Sequence, residues 1–347
     1  MSKRVTVEAI GSDRPDVAPA PGHGLFPVTY SILSADALLA EVAHTYPIGI
    51  SVSCRLLQTS LNDTYLLTSR EDRYIVRVYG AHWRTPSEIA YELELLAHLV
   101  AKGVSVSVPI AGYDGALSRP LAAPEGTRHL VLFTYAPGTP LALDAEKPSY
   151  LAGRLLAAIH AASDHFVSRH VRFRCDLEYL IDTPLAAIRP FLAHRPADWI
   201  SLEGLVGRLR ARLAQAADTG LDWGVCHGDL NGGNIHLAED GTLTVFDFDF
   251  CGPGWRVYDI AAAQWVARGD NKSGIRDAFL KGYTERRRLA VADLAVVPLF
   301  HAIRHLWVLG LRAAKAADTG TLSVSGCYLD FELTYLREWE AEHLGAQ

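Results

Sequence analysis

The stretch that decides the fold reads His227-Gly228-Asp229-Leu230-Asn231-Gly232-Gly233-Asn234, and it is followed downstream by Asp247-Phe248-Asp249. Two adjacent glycines disfavour a continuous helix. We therefore expect Asp229 and Asn234 to lie on one compact loop. His-Gly-Asp alone is common in ordinary turns, so the interpretation depends on what stands between Asn234 and Asp247.

Two short strand-like runs separate Asn234 from Asp247, and they are joined by Asp240-Gly241, a strong hairpin signal. The hairpin should return Asp247 close to Asn234. Magnesium prefers a few hard oxygen ligands and keeps waters and substrate phosphates, so an amide oxygen with one carboxylate indicates a metal–nucleotide site. Asp229 remains to orient a hydroxyl nucleophile. Asp249 is either a second ligand or an acid that caps the loop.

The first half of the chain is predicted to hold five strands and a capped helix. Strand-like composition marks residues 51–58, 64–68, 74–79, 106–110 and 129–135. Thr85-Pro86-Ser87-Glu88 has the pattern of a capping box with proline at the first helical position. On this helix Glu92 shares the inward face with apolar residues, so its carboxylate needs a partner.

After Gly138 the periodicity becomes mainly helical, apart from the hairpin. This change predicts three segments: an N-terminal tail over residues 1–26, a nucleotide-binding lobe over 27–137, and a catalytic and substrate lobe over 138–347. The tail is rich in proline and glycine and shows no sustained period.

These motifs resemble those of the aminoglycoside phosphotransferase and choline kinase superfamily, which shares the bilobal fold of protein kinases. The resemblance implies an α+β, protein-kinase-like fold with an antiparallel-sheet N-lobe and a mainly helical C-lobe. It implies that Asp229 is the catalytic base and that Asn234 and Asp247 hold magnesium. Tyr258-Asp259-Ile260-Ala261 resembles the segment whose Asp braces the catalytic loop.

In the first lobe, Tyr74-Ile75-Val76-Arg77-Val78-Tyr79 resembles the strand that presents a phosphate-binding Lys, and Glu92 resembles the Glu that pairs with it. Here the Lys is replaced by Arg77. A guanidinium is a permanently charged bidentate donor whose reach differs from that of an ammonium. Residues 133–136 resemble the hinge, which implies that Tyr135 and Ala136 meet the adenine.

The resemblance also implies a reaction. His82-Trp83-Arg84-Thr85 and Leu177-Glu178-Tyr179-Leu180-Ile181-Asp182 are similar to the branch that contains the bacterial stress-response Ser/Thr kinase and the type II homoserine kinases. We expect transfer of the γ-phosphoryl group of ATP, with Mg²⁺, to a hydroxyl of a small molecule such as homoserine, an amino alcohol or an aminoglycoside. The alternatives are a Ser/Thr protein kinase and a nucleotide-binding pseudokinase, the latter suggested by the missing Lys and the missing glycine-rich loop. A metallophosphoesterase would need further His and Asp ligands.

Composition restricts the partners and the compartment. With 33 Lys and Arg against 39 Asp and Glu, the net charge of −6 gives no general attraction to nucleic acids. The five cysteines never form a CxxC pair, which argues against a disulfide framework or a structural zinc site. The N-terminus lacks the apolar run of a signal peptide, and Pro298 and Arg304 interrupt the most apolar window. We expect a cytoplasmic protein with neither membrane nor nucleic-acid partners.

Overall fold

The computed structural model describes residues 26–217, 220–265 and 272–345. The tail predicted over residues 1–26 therefore lies outside the described residues, apart from Phe26. The first part of the chain forms helices α1 (Ala35–Thr45) and α2 (Pro86–Ala101) and strands β1 (Ser51–Thr59), β2 (Asn62–Ser69), β3 (Arg73–Tyr79), β4 (Ser118–Ala123) and β5 (Gly126–Thr134). The strands make one antiparallel sheet in the order β1-β2-β3-β5-β4.

One predicted strand was wrong. Residues 106–110 form no strand; Val106 and Pro109 make only isolated bridges, to Val245 and Phe133. Proline lacks the N–H that a ladder requires, which limits pairing there. The remaining strand is β4, whose sequence Ser-Arg-Pro-Leu-Ala-Ala gives little strand signal because it forms an edge and buries few side chains.

The sheet separates two hydrophobic cores, and this separation orients the site. Alternate residues point to opposite faces of a strand. Val76 and Val78 face the smaller core beneath α1, together with Leu130 and Leu132 of β5. Arg77, between the two valines, therefore faces α2 and the second part of the chain.

Helix α2 begins as predicted. The Thr85 hydroxyl accepts from the Glu88 N–H at 3.2 Å, and the Glu88 carboxylate accepts from the Thr85 N–H at 2.8 Å, so the capping box is complete. Glu92 is fully buried on the inner face of this helix.

The second part is mainly helical. It comprises β6 (Thr139–Pro140), α3 (Glu146–Ala162), α4 (Thr183–Ile188), α5 (Pro196–Ala217), β7 (Trp223–Cys226), β8 (Ile235–Leu237), β9 (Leu243–Val245), β10 (Gly252–Trp255), α6 (Arg256–Gln264), α7 (Ser273–Thr284), α8 (Val291–Thr319) and α9 (Gly326–His343). The predicted hairpin is confirmed as β8 and β9, which turn at Gly241 with a φ of +87°.

Helix α8 holds the most apolar stretch. Its segment Val291–Ala316 is long and apolar enough to cross a membrane by length and composition, but 67% of the tested stretch is buried inside the protein. The helix packs against α4 and α6. It is a core helix, as the polar interruptions in its sequence predicted.

Candidate active site

The loop that carries Asp229 requires glycine at position 228. Gly228 has a φ of +83°, and a Cβ there would stand 2.1 Å from the carbonyl oxygen of Phe250. The backbone N–H groups of His227 and Gly228 donate to the two carboxylate oxygens of Asp259 at 2.6 and 2.7 Å. Asp259 thus has the bracing geometry that the family resemblance implied.

Helix α3 supports this brace from behind. His160 Nε2 donates to Asp259 at 3.0 Å, and Nδ1 lies 2.8 Å from the hydroxyl of Tyr283. Burial lowers the pKa of His160, which keeps the ring neutral and lets Nδ1 accept from that hydroxyl. Burial by itself would raise the pKa of Asp259, but the hydrogen bonds from His160 and from the Gly228 backbone hold that pKa below its usual value.

Asp229 and Asn234 are joined within the loop. The Asn234 side-chain nitrogen donates to the Asp229 carbonyl oxygen at 2.9 Å, and the Asn231 side-chain nitrogen donates to the same oxygen at 3.1 Å. Because the side-chain nitrogen of Asn234 already donates within the loop, the side-chain oxygen of this residue is available to a ligand. The hairpin returns the chain as predicted, since the N–H of Phe246 donates to the Asn234 carbonyl oxygen at 3.0 Å.

Asp247 stands beside this loop in a left-handed backbone conformation, with φ 63° and ψ 62°. Aspartate tolerates this conformation better than most residues. Its side chain is 41% exposed, and Arg77 Nη2 lies 3.0 Å from its Oδ1. Loss of solvation raises the pKa of Asp247, the nearby Asp249 and Asp229 add to this rise, and Arg77 opposes it. A cation at this position would stabilise the ionised carboxylate.

Arg77 bridges two acids. Its Nη1 lies 3.0 Å from Oε1 of Glu92, and the Tyr79 hydroxyl donates to Oε2 of Glu92 at 2.9 Å. Burial raises the pKa of Glu92, and Arg77 opposes this rise. Burial would lower the pKa of Arg77, but Asp247 and Glu92 raise it overall. Arg77 therefore remains a cation at the junction of strand, helix and hairpin.

A cavity of about 310 Å³ brings six of the seven candidate residues together. Its lining includes Arg77, Glu92, Tyr135, Ala136, Asn234 and Asp247. Its apolar walls come from both parts of the chain and include Ile75, Leu96, Phe133, Phe246 and Phe248. The seventh candidate, Asp229, adjoins the cavity through Asn234. Convergent polar groups in a largely apolar cleft of this size are typical of a ligand site.

The segment after β5 is anchored to the hairpin. His236 Nδ1 donates to the carbonyl oxygen of Ala136 at 2.7 Å. The Arg73 guanidinium lies 4.0 Å from the ring centre of Tyr135, and the His236 ring meets Tyr135 edge-on. The rim of the cavity at Tyr135 and Ala136 is therefore fixed by contacts with both Arg73 and His236.

Asp249 does not line the cavity. Its side chain is 2% exposed, and it accepts from Trp83 Nε1 at 2.6 Å and from Arg84 Nε at 3.0 Å. Burial alone would raise the pKa of this carboxyl, but Arg84 and Arg77 hold it below its usual value. Of the two sequence interpretations of Asp249, the contacts favour a structural acid.

The contacts that three residues make with the site were not predicted from the sequence. Arg304 of α8 contacts the carboxylate of Asp229. Its signal was present, because a charged residue inside an apolar helix requires a partner. Trp83 and Arg84 gave no comparable signal, since their partner Asp249 is more than 160 residues away.

The donors present fit a magnesium–phosphate complex better than a closed metal site. Among residues 26–217, 220–265 and 272–345, no group of three or more His, Cys, Asp or Glu side chains could hold a metal ion. One amide oxygen and one carboxylate leave coordination positions for waters and substrate phosphates, which is how magnesium is usually held.

Comparison with known proteins identifies the family. The sequence model of the phosphotransferase enzyme family matches residues 54–292. The chain belongs to this family. This phosphotransferase is 41% identical to an uncharacterized protein of Deinococcus radiodurans over 92% of this chain and 93% of that protein. It is 29% identical to a homoserine kinase of Neisseria meningitidis serogroup B, over 73% and 80% of the two chains.

Among solved structures, the microcompartment-associated aminopropanol kinase is similar to this phosphotransferase, with 25% identity and a TM-score of 0.73 over 90% of this chain and 99% of that chain. The predicted α+β, kinase-like fold is thereby confirmed. The predicted enzyme class, a phosphotransferase, is also confirmed.

Proposed function

We propose that this phosphotransferase moves the γ-phosphoryl group of ATP, as its magnesium complex, to the hydroxyl of a small amino alcohol or of a hydroxyl-bearing amino acid such as homoserine. The observation that carries the proposal is the convergence of Arg77, Asn234 and Asp247 on one cavity next to Asp229. The names of the homoserine and aminopropanol kinases support the choice of acceptor. We assign the reaction to the cytoplasm, where ATP is supplied.

Different parts of the cavity would bind the adenine, the phosphates and the magnesium ion. The apolar walls near Phe133 and Phe246 would take the adenine, with the backbone of Tyr135 and Ala136 at its edge. Arg77 would contact the phosphates, because its two terminal nitrogens already lie next to acidic oxygens that fix its direction. Asn234 and Asp247 would hold magnesium, which neutralises phosphate charge when bound.

Asp229 would act on the acceptor. It orients the hydroxyl toward the γ-phosphorus and accepts the hydroxyl proton as the new phosphorus–oxygen bond forms. The bond between the γ-phosphorus and the bridging oxygen breaks, and ADP leaves with the electron pair. Most of the rate enhancement then comes from positioning and from fixed charges, because phosphoryl transfer needs little acid catalysis.

The arrangement around Arg77 bears on the pseudokinase alternative. The family resemblance implies a Lys that pairs with Glu92. In this protein Arg77 makes the pair, with 3.0 Å between its Nη1 and Oε1 of Glu92. The substitution therefore keeps a cation between the helix and the hairpin. This geometry favours an active enzyme over a protein that only binds nucleotide.

The test is magnesium-dependent ADP release by the purified protein, measured alone and with homoserine, 1-amino-2-propanol, choline, an aminoglycoside or a generic protein acceptor. We expect one small alcohol to stimulate release and to saturate it. Asp229→Asn is the matched control, because it removes the base and keeps the shape of the side chain.

Three outcomes separate the alternatives. Stimulation by a small alcohol that disappears in Asp229→Asn supports the proposal. Stimulation by the protein acceptor alone would establish the protein kinase alternative. ATP binding without release under any condition would establish the pseudokinase and overturn the proposal.

A further inference from the structure

Arg304 lies on α8, and its side chain contacts the candidate catalytic loop, whose Asp229 stands 75 residues earlier in the chain. Its Nη1 donates to the carbonyl oxygen of Gly228 at 3.1 Å and to the hydroxyl of Tyr258 at 3.0 Å. Its Nη2 donates to Oδ1 of Asp229. The residue is only 6% exposed, so these contacts are made by a desolvated cation.

Gly228, the residue that precedes Asp229, is therefore held on both sides by opposite charges. The N–H of Gly228 donates to the Asp259 carboxylate, and the C=O of the same residue accepts from Arg304. The left-handed conformation of Gly228 is fixed at both of its polar groups. The same guanidinium also contacts the side chain of Asp229, so Arg304 holds both the carbonyl group that precedes Asp229 and the Asp229 carboxylate.

The two oxygens of Asp229 have different surroundings. Oδ1 is held by Arg304, whereas the contacts of Oδ2 with the described residues are long, 3.3 Å to the Asn231 amide nitrogen and 3.4 Å to that of Asn234. The side chain is 21% exposed. An acceptor hydroxyl would therefore find Oδ2 available while Oδ1 is fixed.

We propose that Arg304 is a positioning residue for phosphoryl transfer, which holds Asp229 so that Oδ2 faces the acceptor hydroxyl. This inference rests on the proposed function. Arg304 acts through Asp229 and is not among the described residues that line the cavity.

A guanidinium suits this role better than an ammonium. The two terminal nitrogens of Arg304 are rigidly connected, and together they donate to three acceptors that lie in different directions. A single ammonium on a flexible stem cannot reproduce this arrangement. The Arg304 guanidinium also lies 4.7 Å from the ring centre of Trp307, and that ring packs edge-on against Phe250. The aromatic packing restricts the guanidinium to one plane.

The experiment compares Arg304→Ala and Arg304→Lys with wild type in the ADP-release assay, using the acceptor that stimulates best. Arg312→Ala is the matched control, since it removes an exposed arginine of the same helix that lies against Tyr328. Nucleotide affinity and the thermal midpoint are measured for each variant.

We expect Arg304→Ala to lower kcat by about 100-fold, the size of loss that a misplaced catalytic group produces, while the KM for ATP stays within threefold. Arg304→Lys should keep the fold and recover only part of kcat. Millimolar guanidinium should partly rescue Arg304→Ala and leave Arg312→Ala unchanged.

The outcomes are distinguishable. If wild type is stimulated by an acceptor and Arg304→Ala or Arg304→Lys keeps the wild-type kcat, the positioning role is overturned while the proposed function stands. If kcat and ATP affinity fall together without rescue by guanidinium, Arg304 is merely structural and the inference is also overturned. If wild type binds ATP but releases no ADP with any acceptor, the proposed function fails first and the inference fails with it.

Discussion

The indole nitrogen of Trp83 donates to the carboxylate of Asp249 at 2.6 Å and so ties the segment after β3 to the residues that follow Asp247. The next residue, Arg84, adds an ion pair of 3.0 Å to the same carboxylate. Asp249 thus holds the sheet against the hairpin, and Asp247 is left to face the cavity.

Removing the charge of Asp249 should cost stability. Asp249→Asn leaves the buried Arg84 cation without its counter-charge, and breaking one partner of a buried ion pair typically costs about 3–5 kcal/mol. Denaturant unfolding measures the loss. Asp114→Asn is the control, because the Asp114 carboxylate that pairs with Arg119 is exposed and a solvated ion pair contributes little to stability. Unchanged stability with lost magnesium dependence would instead make Asp249 a metal ligand.

Arg77 can be replaced by the residue that the family resemblance leads one to expect. Arg77→Lys keeps the charge, but its one ammonium cannot match the separate contacts to Glu92 and Asp247. We expect the KM for ATP to rise several-fold. Arg77→Met should raise it at least tenfold and also destabilise the protein, because the buried Glu92 loses its counter-charge. Steady-state kinetics at varied ATP provide the measurement, with the exposed Arg55→Met as control.

If Arg77→Met kept the wild-type KM for ATP, Arg77 would be a structural ion-pair partner only. The kinetic and unfolding measurements separate the two roles, since a structural role alone predicts lower stability without a change in nucleotide affinity.

Asp247 can be tested without disturbing the backbone. Asparagine tolerates the left-handed conformation at this position, so Asp247→Asn should keep the fold, with a thermal midpoint close to that of wild type. Magnesium-dependent turnover should disappear in this variant and in Asp247→Ala, because the carboxylate ligand is gone. Circular dichroism and ADP release measure the two properties. Wild-type turnover in Asp247→Ala would contradict the metal assignment.

A histidine with a buried ring nitrogen should make stability depend on pH. Nε2 of His301 in α8 is buried with no hydrogen-bond partner among the residues that the structure describes, and burial lowers the pKa of the ring to about 4. The unfolded chain takes up this proton near pH 6.5, so folding stability contributed by the neutral ring is lost as the pH falls from about 6.5 toward 4.

Urea unfolding at pH 7, 6 and 5 tests this expectation. His301→Gln should reduce the loss of stability over that interval, while a residual loss remains from His160, whose pKa is also lowered by burial. An identical pH dependence in His301→Gln and wild type would show that His301 does not contribute.

Local patterns predicted the parts of the site that are close in sequence. The capping box placed Glu92 on the inner face of α2, the Asp240-Gly241 turn returned the chain to Asn234, and both features are present. The edge strand β4 was missed because it buries little. Arg304 and Trp83 gave no local indication of their partners, because contacts to Asp229 and Asp249 depend on how distant elements pack.

The alternation along β3 makes the length of this strand critical. Thr64, Arg77 and Val131 lie opposite one another across three strands, while Val76 and Val78 fill the core beneath α1. Inserting or deleting one residue within β3 would exchange the faces. The Arg77 guanidinium would enter an apolar core, and a valine would face the phosphates. We therefore expect homologous enzymes to differ in the length of the turn at residues 70–72 and to keep the number of residues from Arg73 to Tyr79.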